Sequence, residues 1–186
     1  MSMNPIDQLD TLIPTFTGLA GRVETADLER TTPCSDWQVR DLLNHIAGGA
    51  PVFAGLFRGE AGRPFPTDDQ LGDEPSAAVR RALDEFDAAV KSPGAMERPL
   101  ETPFGEMPGE AFARLAAVDL MIHSWDLATA LGERLDLDND LVREVDAFAR
   151  SAFPDPRPPA LFAPAVEPPD GASPLECLVA FSGRTV

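Results

Sequence analysis

The stretch from Pro108 to Gly132 reads PGEAFARLAAVDLMIHSWDLATALG. Its apolar residues recur at spacings of three and four, which predicts a long helix with a broad buried face. Pro108 suits the start of this helix and Gly132 suits its C-terminal cap. Within it, Asp119 and His123 are one turn apart, so a carboxylate and an imidazole share one face.

A second stretch, Asp41-Leu-Leu-Asn-His45, repeats this spacing in another predicted helix. The chain has 2 histidines, and both lie on helix faces that lean toward the interior. Imidazole nitrogens and carboxylate oxygens are ligands for zinc and related divalent ions. The pattern therefore indicates a metal site, with two unrelated histidines of the core or its rim as the alternative.

Glycine and proline divide the rest of the chain into further helix-length segments. Apolar periodicity predicts helices from Pro5 to Arg22, from Ser35 to about Phe57, from Pro75 to about Val90, and from Asn139 to Phe153 after the cap Asp138. A last turn or two is expected between Pro174 and Phe181. No stretch alternates with period two, so the connections 58–74 and around Pro93-Gly94 are expected to be loops. The predicted fold is all-α and forms a single domain over residues 1–186, a bundle of four main helices with one or two short extra C-terminal helices.

Prolines and one capping pattern give local predictions within this bundle. Ser35-Asp-Trp-Gln38 fits a capping box at the start of the second helix. Pro14 predicts a kink or a late start in the first helix, and Pro51 predicts a bend just after His45. The proline-rich segment 154–174 is expected to wrap over the bundle and to dock through apolar side chains, which are Leu161, Phe162 and Val166.

The composition excludes several classes of partner. The chain carries 31 acidic and 15 basic residues, a formal charge of −16, whereas a protein that binds nucleic acid needs a basic surface. No apolar run reaches the roughly 20 residues of a membrane span, and no secretory signal is visible. The 2 cysteines do not form a disulfide framework. We therefore expect a cytoplasmic protein with a small-molecule substrate, and a homodimer is favoured over a monomer because dimers are the commonest symmetric oligomer.

Asp41 and Asp119 each lie four residues before a histidine. Either of them could therefore be the carboxylate ligand beside the two histidines. Asp119 is flanked by apolar residues, where an unpaired carboxylate would be costly. Asp41 lies in the first turns of its helix, where the helix dipole favours a solvated carboxylate. We therefore prefer His45, Asp119 and His123 as ligands of a divalent ion, with zinc first and nickel, iron or manganese as alternatives. Such an open set of three leaves room for water or substrate.

Other residues near these motifs have two interpretations each. Asp126, three residues after the second histidine, could orient that imidazole or lie exposed. Cys34 is expected at a helix N-terminus, where the dipole lowers a thiol pKa, but a small apolar plug is the preferred interpretation. On one continuous helix it would lie about 16 Å from His45. Trp37 and Trp125 fit ordinary packing, although Trp125 could also line a pocket.

Two motifs together resemble a known family. They are Thr32-Pro-Cys-Ser-Asp-Trp-Gln-Val-Arg-Asp-Leu-Leu-Asn-His45 and Asp119-Leu-Met-Ile-His123-Ser-Trp-Asp-Leu-Ala, and the ending Ala172-Ser-Pro-Leu-Glu-Cys-Leu-Val-Ala-Phe-Ser-Gly-Arg184 fits as well. The chain resembles the actinobacterial branch of the DinB/YfiT-like superfamily. Within that branch it is similar to proteins related to the metal-binding N-terminal domain of mycothiol-dependent maleylpyruvate isomerase. The similarity spans nearly the whole chain.

The resemblance implies a four-helix bundle with a long crossover after the second helix and a divalent metal at one end. It places His45 and His123 on the family's first and last histidine ligands, and Asp119 on a middle ligand that is usually histidine or glutamate. It also implies that the metal activates a low-molecular-weight thiol such as mycothiol. The isomerase has a further C-terminal domain that this chain is too short to hold, so related transferase or isomerase chemistry is favoured over isomerisation of maleylpyruvate itself.

Three functions stay open on the sequence. The favoured one is a metal-dependent enzyme that uses mycothiol or a related thiol. The second is a metal-binding protein without catalysis. The third is an all-α interaction module in which the histidines are incidental.

Overall fold

A computed structural model describes residues 3–34, 36–102, 105–153 and 162–186. Within these ranges the elements are α1 (Pro5–Ala20), a 3₁₀ turn (Thr25–Asp27), α2 (Val39–Arg58), α3 (Pro75–Val90), β1 (Pro99–Thr102), β2 (Gly105–Pro108), α4 (Gly109–Ala130), α5 (Asn139–Ala152) and α6 (Pro174–Phe181). No helix in these ranges is long and apolar enough to cross a membrane. The predicted helical bundle is confirmed, and a small two-stranded sheet is added to it.

Helices α2 and α3 run parallel and are joined by a long crossover. Arg58, the last residue of α2, forms an ion pair of 2.7 Å with Glu85 in the second half of α3. The connection 59–74 returns along α2, so that Asp69 lies 3.1 Å from Arg40 near the start of that helix. Because α2 has 20 residues, the connection must cover about 30 Å before α3 can begin. The crossover after the second helix is therefore present as expected.

Helices α1 and α4 run parallel to each other and antiparallel to α2 and α3. Arg22, just after α1, pairs with Glu133, just after α4, at 2.7 Å. Lys91, just after α3, pairs with Asp10 in the first half of α1 at 2.6 Å. Helices α5 and α6 pack against α4. The four main helices enclose one apolar core, whose fully buried side chains include Phe16, Phe57, Phe86 and Phe112.

The starts of α1, α3 and α5 follow local capping rules. The side chain of Asn4 accepts a backbone hydrogen bond in the first turn of α1, which begins at Pro5. The late start considered for this helix is therefore wrong, and α1 continues through Pro14. Pro75 opens α3 as predicted. Asp138 caps α5 as predicted, since its carboxylate accepts two backbone N–H groups.

Helix α2 begins one turn later than the capping pattern predicted. Its cap is Gln38, whose backbone N–H donates to the carboxylate of Asp41 at 2.9 Å, and its first residue is Val39. The predicted cap residue, Ser35, lies outside the described residues. The predicted capping box gave the Gln38 side chain the role of bonding back to the cap residue. The carboxylate of Asp41 has that role instead, three residues further along. The helix then continues through Pro51.

The predicted loop between α3 and α4 contains a hairpin, so this part of the prediction is wrong. Strands β1 and β2 pair antiparallel, from Pro99 opposite Pro108 to Thr102 opposite Gly105. Leu100 is buried on one strand, and a partly buried methionine packs opposite it. Strands of four residues with prolines in the paired positions are too short to display a period-two pattern.

Two glycines in α2 allow the crossover to pack closely against that helix. A Cβ at Gly48 would lie 2.8 Å from Cγ of Pro66, and a Cβ at Gly49 would lie 3.1 Å from Cε2 of Phe65. The crossover would have to move to accommodate either side chain. With glycine in both places, the ring of Phe65 reaches α2 and lies 5.6 Å from the ring of His45.

The segment before α6 follows the predicted wrap only in part. The ring of Phe162 meets that of Phe153 edge on, with 5.0 Å between centroids. The backbone N–H of Val166 donates to the carbonyl of Ala180 at 3.0 Å, but the Val166 side chain is exposed and does not dock as predicted. Leu161 lies outside the described residues.

Candidate metal centre

Helices α2 and α4 bring His45, Asp119 and His123 together at one end of the bundle. The helices are antiparallel, so the start of α2 lies beside the second half of α4. Nε2 of His45 lies 3.5 Å from Oδ2 of Asp119, and Nε2 of His123 lies 3.4 Å from Oδ1 of the same carboxylate. One ligand atom of each residue lies within 4.8 Å of the others. These three residues, the His–Asp–His cluster, could hold a metal ion.

Asp41, the alternative ligand, has a different position. Its carboxylate accepts the Gln38 N–H at the start of α2 and acts as part of the helix cap. Asp119 instead faces both histidines. The tertiary arrangement thus separates two aspartates that have the same sequence spacing. The assignment of Asp119 as a metal ligand stays a prediction.

Asp126 lies behind His123 and is fully buried, so the alternative of an exposed Asp126 is wrong. Its Oδ2 lies 3.0 Å from Nδ1 of His123. A carboxylate only accepts hydrogen bonds, so Nδ1 carries the proton. Nε2, which faces Asp119, is then the nitrogen available to a metal.

Arg184 completes this arrangement and was not predicted. It follows α6 and donates from Nε and Nη2 to the two oxygens of Asp126, at 3.2 and 2.9 Å. Its Nη1 donates to the carbonyl of Ser182 at 3.1 Å, and the residue is 7% exposed. The sequence feature that could have identified Arg184 is its position at the end of the C-terminal motif that resembles the family. No spacing rule connects residues 58 positions apart.

The segment before α2 forms a narrow loop over the cluster. Thr31 pairs with Gln38 in an isolated antiparallel bridge. Between them, the backbone N–H of Trp37 donates to the carbonyl of Cys34 at 3.0 Å. Asp36 has φ of 68°, a left-handed conformation that aspartate adopts more readily than most residues. This turn places the Trp37 side chain against the histidines.

Aromatic rings cover both histidines. The ring of Trp37 stacks on that of His123 at 5.6 Å with an interplanar angle of 14°, and it lies 5.1 Å from the ring of His45. Phe65 contacts His45 from the crossover. Trp125, which the sequence allowed as a pocket wall, is partly buried against the core. The tryptophan that borders the site is therefore Trp37.

Cys34 lies on the other side of His123. Its Sγ, a ring nitrogen of His123 and a carboxylate oxygen of Asp126 lie within 4.8 Å of one another. Helix α2 begins only at Val39, so Cys34 is not at the helix terminus, and that prediction is wrong. The distance of about 16 Å to His45 assumed one continuous helix and does not apply. Burial raises the pKa of the Cys34 thiol to about 11. Because Asp126 is already paired with Arg184, this second group is less suited to a metal than the His–Asp–His cluster.

Opposite charges face each other within the cluster. Burial would lower the pKa of His123, but the carboxylates of Asp119 and Asp126 outweigh it and raise this pKa to about 9. Burial would raise the pKa of Asp119, but His123 and His45 hold it well below its usual range. The Asp119 side chain is 35% exposed, so solvent reaches this carboxylate. A cation that binds here must displace a proton from His123.

The family and close relatives are evident in the sequence. Residues 9–128 match the family model of the mycothiol maleylpyruvate isomerase N-terminal domain. The match runs from Leu9 in the first half of α1 to Ala128 near the end of α4. Two uncharacterized proteins of Mycobacterium tuberculosis, from strains CDC 1551 / Oshkosh and ATCC 25618 / H37Rv, are each 35% identical to this chain over 188 residues. These alignments cover 99% of this chain and 100% of each relative.

Solved structures share the fold. The crystal structure of mycothiol-dependent maleylpyruvate isomerase matches with a TM-score of 0.57 at 18% identity, and a histidine-to-alanine mutant of that enzyme matches with 0.61 at 15%. Each match covers 75% of this chain and 65% of the isomerase chain, so the chain spans about two thirds of that protein's length. The resemblance seen in the sequence motifs is confirmed. The chain belongs to the family of the mycothiol maleylpyruvate isomerase N-terminal domain.

Proposed function

We propose that this chain is a divalent-metal-dependent enzyme that activates a low-molecular-weight thiol, with mycothiol as the first candidate, in a transferase or isomerase reaction on a small molecule. The observation that carries the proposal is the convergence of His45, Asp119 and His123 at one end of the bundle. Membership of a family named for a mycothiol-dependent isomerase supports the choice of thiol.

The donor set fits a borderline ion such as zinc. Two imidazole nitrogens and a carboxylate are common zinc ligands, and three protein ligands leave a position for water or a thiol. Nε2 of His123 lies 3.4 Å from Oδ1 of Asp119, and Nε2 of His45 lies 3.5 Å from Oδ2, so each nitrogen is close enough to a carboxylate oxygen to share an ion with it. Zinc is therefore proposed first, with nickel, iron or manganese as alternatives.

The residues of the chain would hold and shield this centre. Asp126 keeps the proton on Nδ1 of His123 and directs Nε2 toward the cluster. Trp37 and Phe65 cover the histidine faces and limit the access of water to them. A bound divalent ion lowers the pKa of a coordinated thiol, so that the thiolate exists at neutral pH. In a transfer, the sulfur bonds to an electrophilic carbon, the leaving group departs with the bonding electron pair, and the thiol proton passes to solvent.

Metal analysis of protein purified without an affinity tag tests the ligand set. His45→Ala and His123→Ala should lose stoichiometric binding and stay helical, because the apolar core does not depend on the ion. Asp119→Ala should weaken binding less completely, because two imidazoles remain. If both histidine variants bind zinc or nickel as the parent does, the metal site lies elsewhere.

Cobalt substitution separates an enzyme from a passive metal binder. A thiolate on Co(II) gives an intense near-ultraviolet charge-transfer band. We expect mycothiol or N-acetylcysteine to produce this band in a variant with Cys34→Ser and Cys177→Ser, which removes the protein thiols. Adding His123→Ala should abolish it. A cobalt spectrum that ignores millimolar thiol would favour the second function, metal binding without catalysis.

We also propose that the protein forms a homodimer, because dimers are the commonest symmetric oligomers. Light scattering should then give twice the chain mass of 19.9 kDa, and a mass equal to one chain at micromolar concentrations would contradict it.

A further inference from the structure

An apolar pocket that encloses about 90 Å³ opens beside the His–Asp–His cluster. Helices α2 and α4, the end of α5 and the segment before α6 form its walls. We call it the phenylalanine pocket after its principal lining residues, which are Phe53, Phe112, Leu115, Asp119, Phe153 and Phe162. Asp119 belongs to both the pocket and the cluster. A molecule in this pocket would therefore lie next to a thiol bound at the cluster.

Aromatic rings determine what the pocket can accept. Phe53 and Phe112 meet edge on at 4.8 Å, and Phe153 and Phe162 do so at 5.0 Å. Phenyl faces and edges pack well against another aromatic ring. The enclosed space is smaller than the cavity of about 150 Å³ that takes up benzene, so a single ring enters it in part and its remainder lies in the open mouth of the pocket.

The described lining of the pocket offers little to an anionic ligand. Among the described residues that line it, Asp119 is the one with a polar side chain, and no side chain can donate a hydrogen bond. A carboxylate that entered would lose its water without a replacement donor.

We infer, on the basis of the proposed function, that the phenylalanine pocket binds the acceptor of the thiol and favours a neutral aromatic or similarly apolar electrophile over an anionic one. With 1-chloro-2,4-dinitrobenzene as a probe, a sulfur–carbon bond forms at the ring and the carbon–chlorine bond breaks. Chloride leaves with the bonding electron pair, and the thiol proton passes to solvent.

Binding is measured first, without thiol, so that the result does not depend on catalysis. The probes are 1,3-dinitrobenzene and 3,5-dinitrobenzoate, which differ by one carboxylate, in equilibrium dialysis against the protein stripped of metal, so that a metal ion cannot bind the carboxylate. We expect the neutral compound to bind at least about tenfold more tightly. Phe162→Ala should weaken its binding about fivefold or more, because an aromatic wall is lost. Phe148→Ala, a matched control on a half-buried phenylalanine of α5 outside the pocket lining, should bind as the parent does.

Equal affinities for the two probes, or equal losses in Phe162→Ala and Phe148→Ala, would overturn the inference. Turnover is measured second, as conjugation of mycothiol with 1-chloro-2,4-dinitrobenzene and with 4-chloro-3,5-dinitrobenzoate, and the neutral compound should react faster. If the neutral probe binds more tightly but neither chlorinated compound is conjugated with mycothiol, the proposed function is contradicted. The pocket would then be a binding site for apolar ligands. Equal conjugation of both compounds would support the proposed function and refute the selectivity of the pocket.

Discussion

The guanidinium of Arg184 donates two hydrogen bonds to the carboxylate of Asp126, which lies 58 residues earlier in the chain. Both side chains are buried, and Oδ2 of the same carboxylate faces Nδ1 of His123. The C-terminal segment is thereby connected to the His–Asp–His cluster through a single aspartate. Arg184 is a positioning residue, because it acts on the cluster through Asp126.

Removal of one partner of this buried pair should destabilise the fold. Arg184→Met removes the guanidinium from the buried charge of Asp126 and leaves the His123 ring beside it, which costs up to about 3 to 5 kcal/mol of unfolding free energy. The double variant Arg184→Met, Asp126→Asn should lose less unfolding free energy than the sum of the losses in the two single variants. Denaturant unfolding measures all three losses. Arg143→Met is the control, because Arg143 and Asp140 form an exposed pair with side chains 62% and 85% exposed, and it should have no measurable effect. Strict additivity of the two buried changes would contradict the coupling.

Asp126 should also influence metal affinity without touching the ion. Asp126→Asn removes the charge that orients His123 and increases the basicity of its ring. We expect zinc to bind about 10 to 100 times more weakly, by competition with a chromophoric chelator. Circular dichroism checks that the helices are retained. Unchanged affinity in a folded variant would mean that the protein scaffold alone orients the imidazole.

The two aspartates with identical spacing should respond differently to substitution. Asp41→Ala removes the acceptor for the Gln38 N–H and should lower stability by about 1 kcal/mol with metal affinity unchanged. Asp119→Ala should lower metal affinity. Thermal unfolding and metal titration of both variants give the comparison. Loss of metal binding in Asp41→Ala would reverse the assignment of the carboxylate ligand.

The raised pKa of His123 predicts opposite pH trends for the metal-free fold and for metal binding. Its folded-state pKa of about 9 lies above the unfolded value near 6.5. The stability from this charge is therefore full below pH 6.5 and is lost as the pH rises through 9. Zinc affinity should instead rise by up to about tenfold per pH unit over this interval, because the proton competes with the metal.

Denaturant unfolding in the presence of a chelator measures the first trend, and chelator competition measures the second. His123→Gln should abolish the loss of stability between pH 6.5 and 9. A parent protein whose metal-free stability is level across this window would contradict the raised pKa.

The glycines of α2 should resist substitution, unlike a glycine elsewhere in the bundle. Alanine at an exposed helix position normally gains up to about 1 kcal/mol over glycine. Gly18→Ala meets nothing closer than 4.0 Å and should show this gain. Gly48→Ala would place Cβ at 2.8 Å from Pro66 and should instead cost about 1 to 3 kcal/mol. Denaturant unfolding of both variants tests this, and stabilisation by Gly48→Ala would show that the crossover yields easily.

Local signals predicted most of the helices and the faces that carry the candidate ligands. The periodicity from Pro75 to Val90 and from Asn139 onward located α3 and α5 well, since helix formation depends on residues three and four apart. The same spacing put Asp119 and His123 on one face. The start of α2 was predicted wrongly because Ser35 and Gln38, within one turn of each other, are both possible caps.

The sequence by itself thus determined which segments are helical and which residues each helix face offers, because both depend on neighbours within a turn. The tertiary structure alone decided which side chains meet. Antiparallel packing of α2 and α4 brings His45 to Asp119, a left-handed turn at Asp36 brings in Trp37, and the segment after α6 supplies Arg184. These contacts join residues far apart in the chain, and a linear spacing contains no information about distances between separate elements.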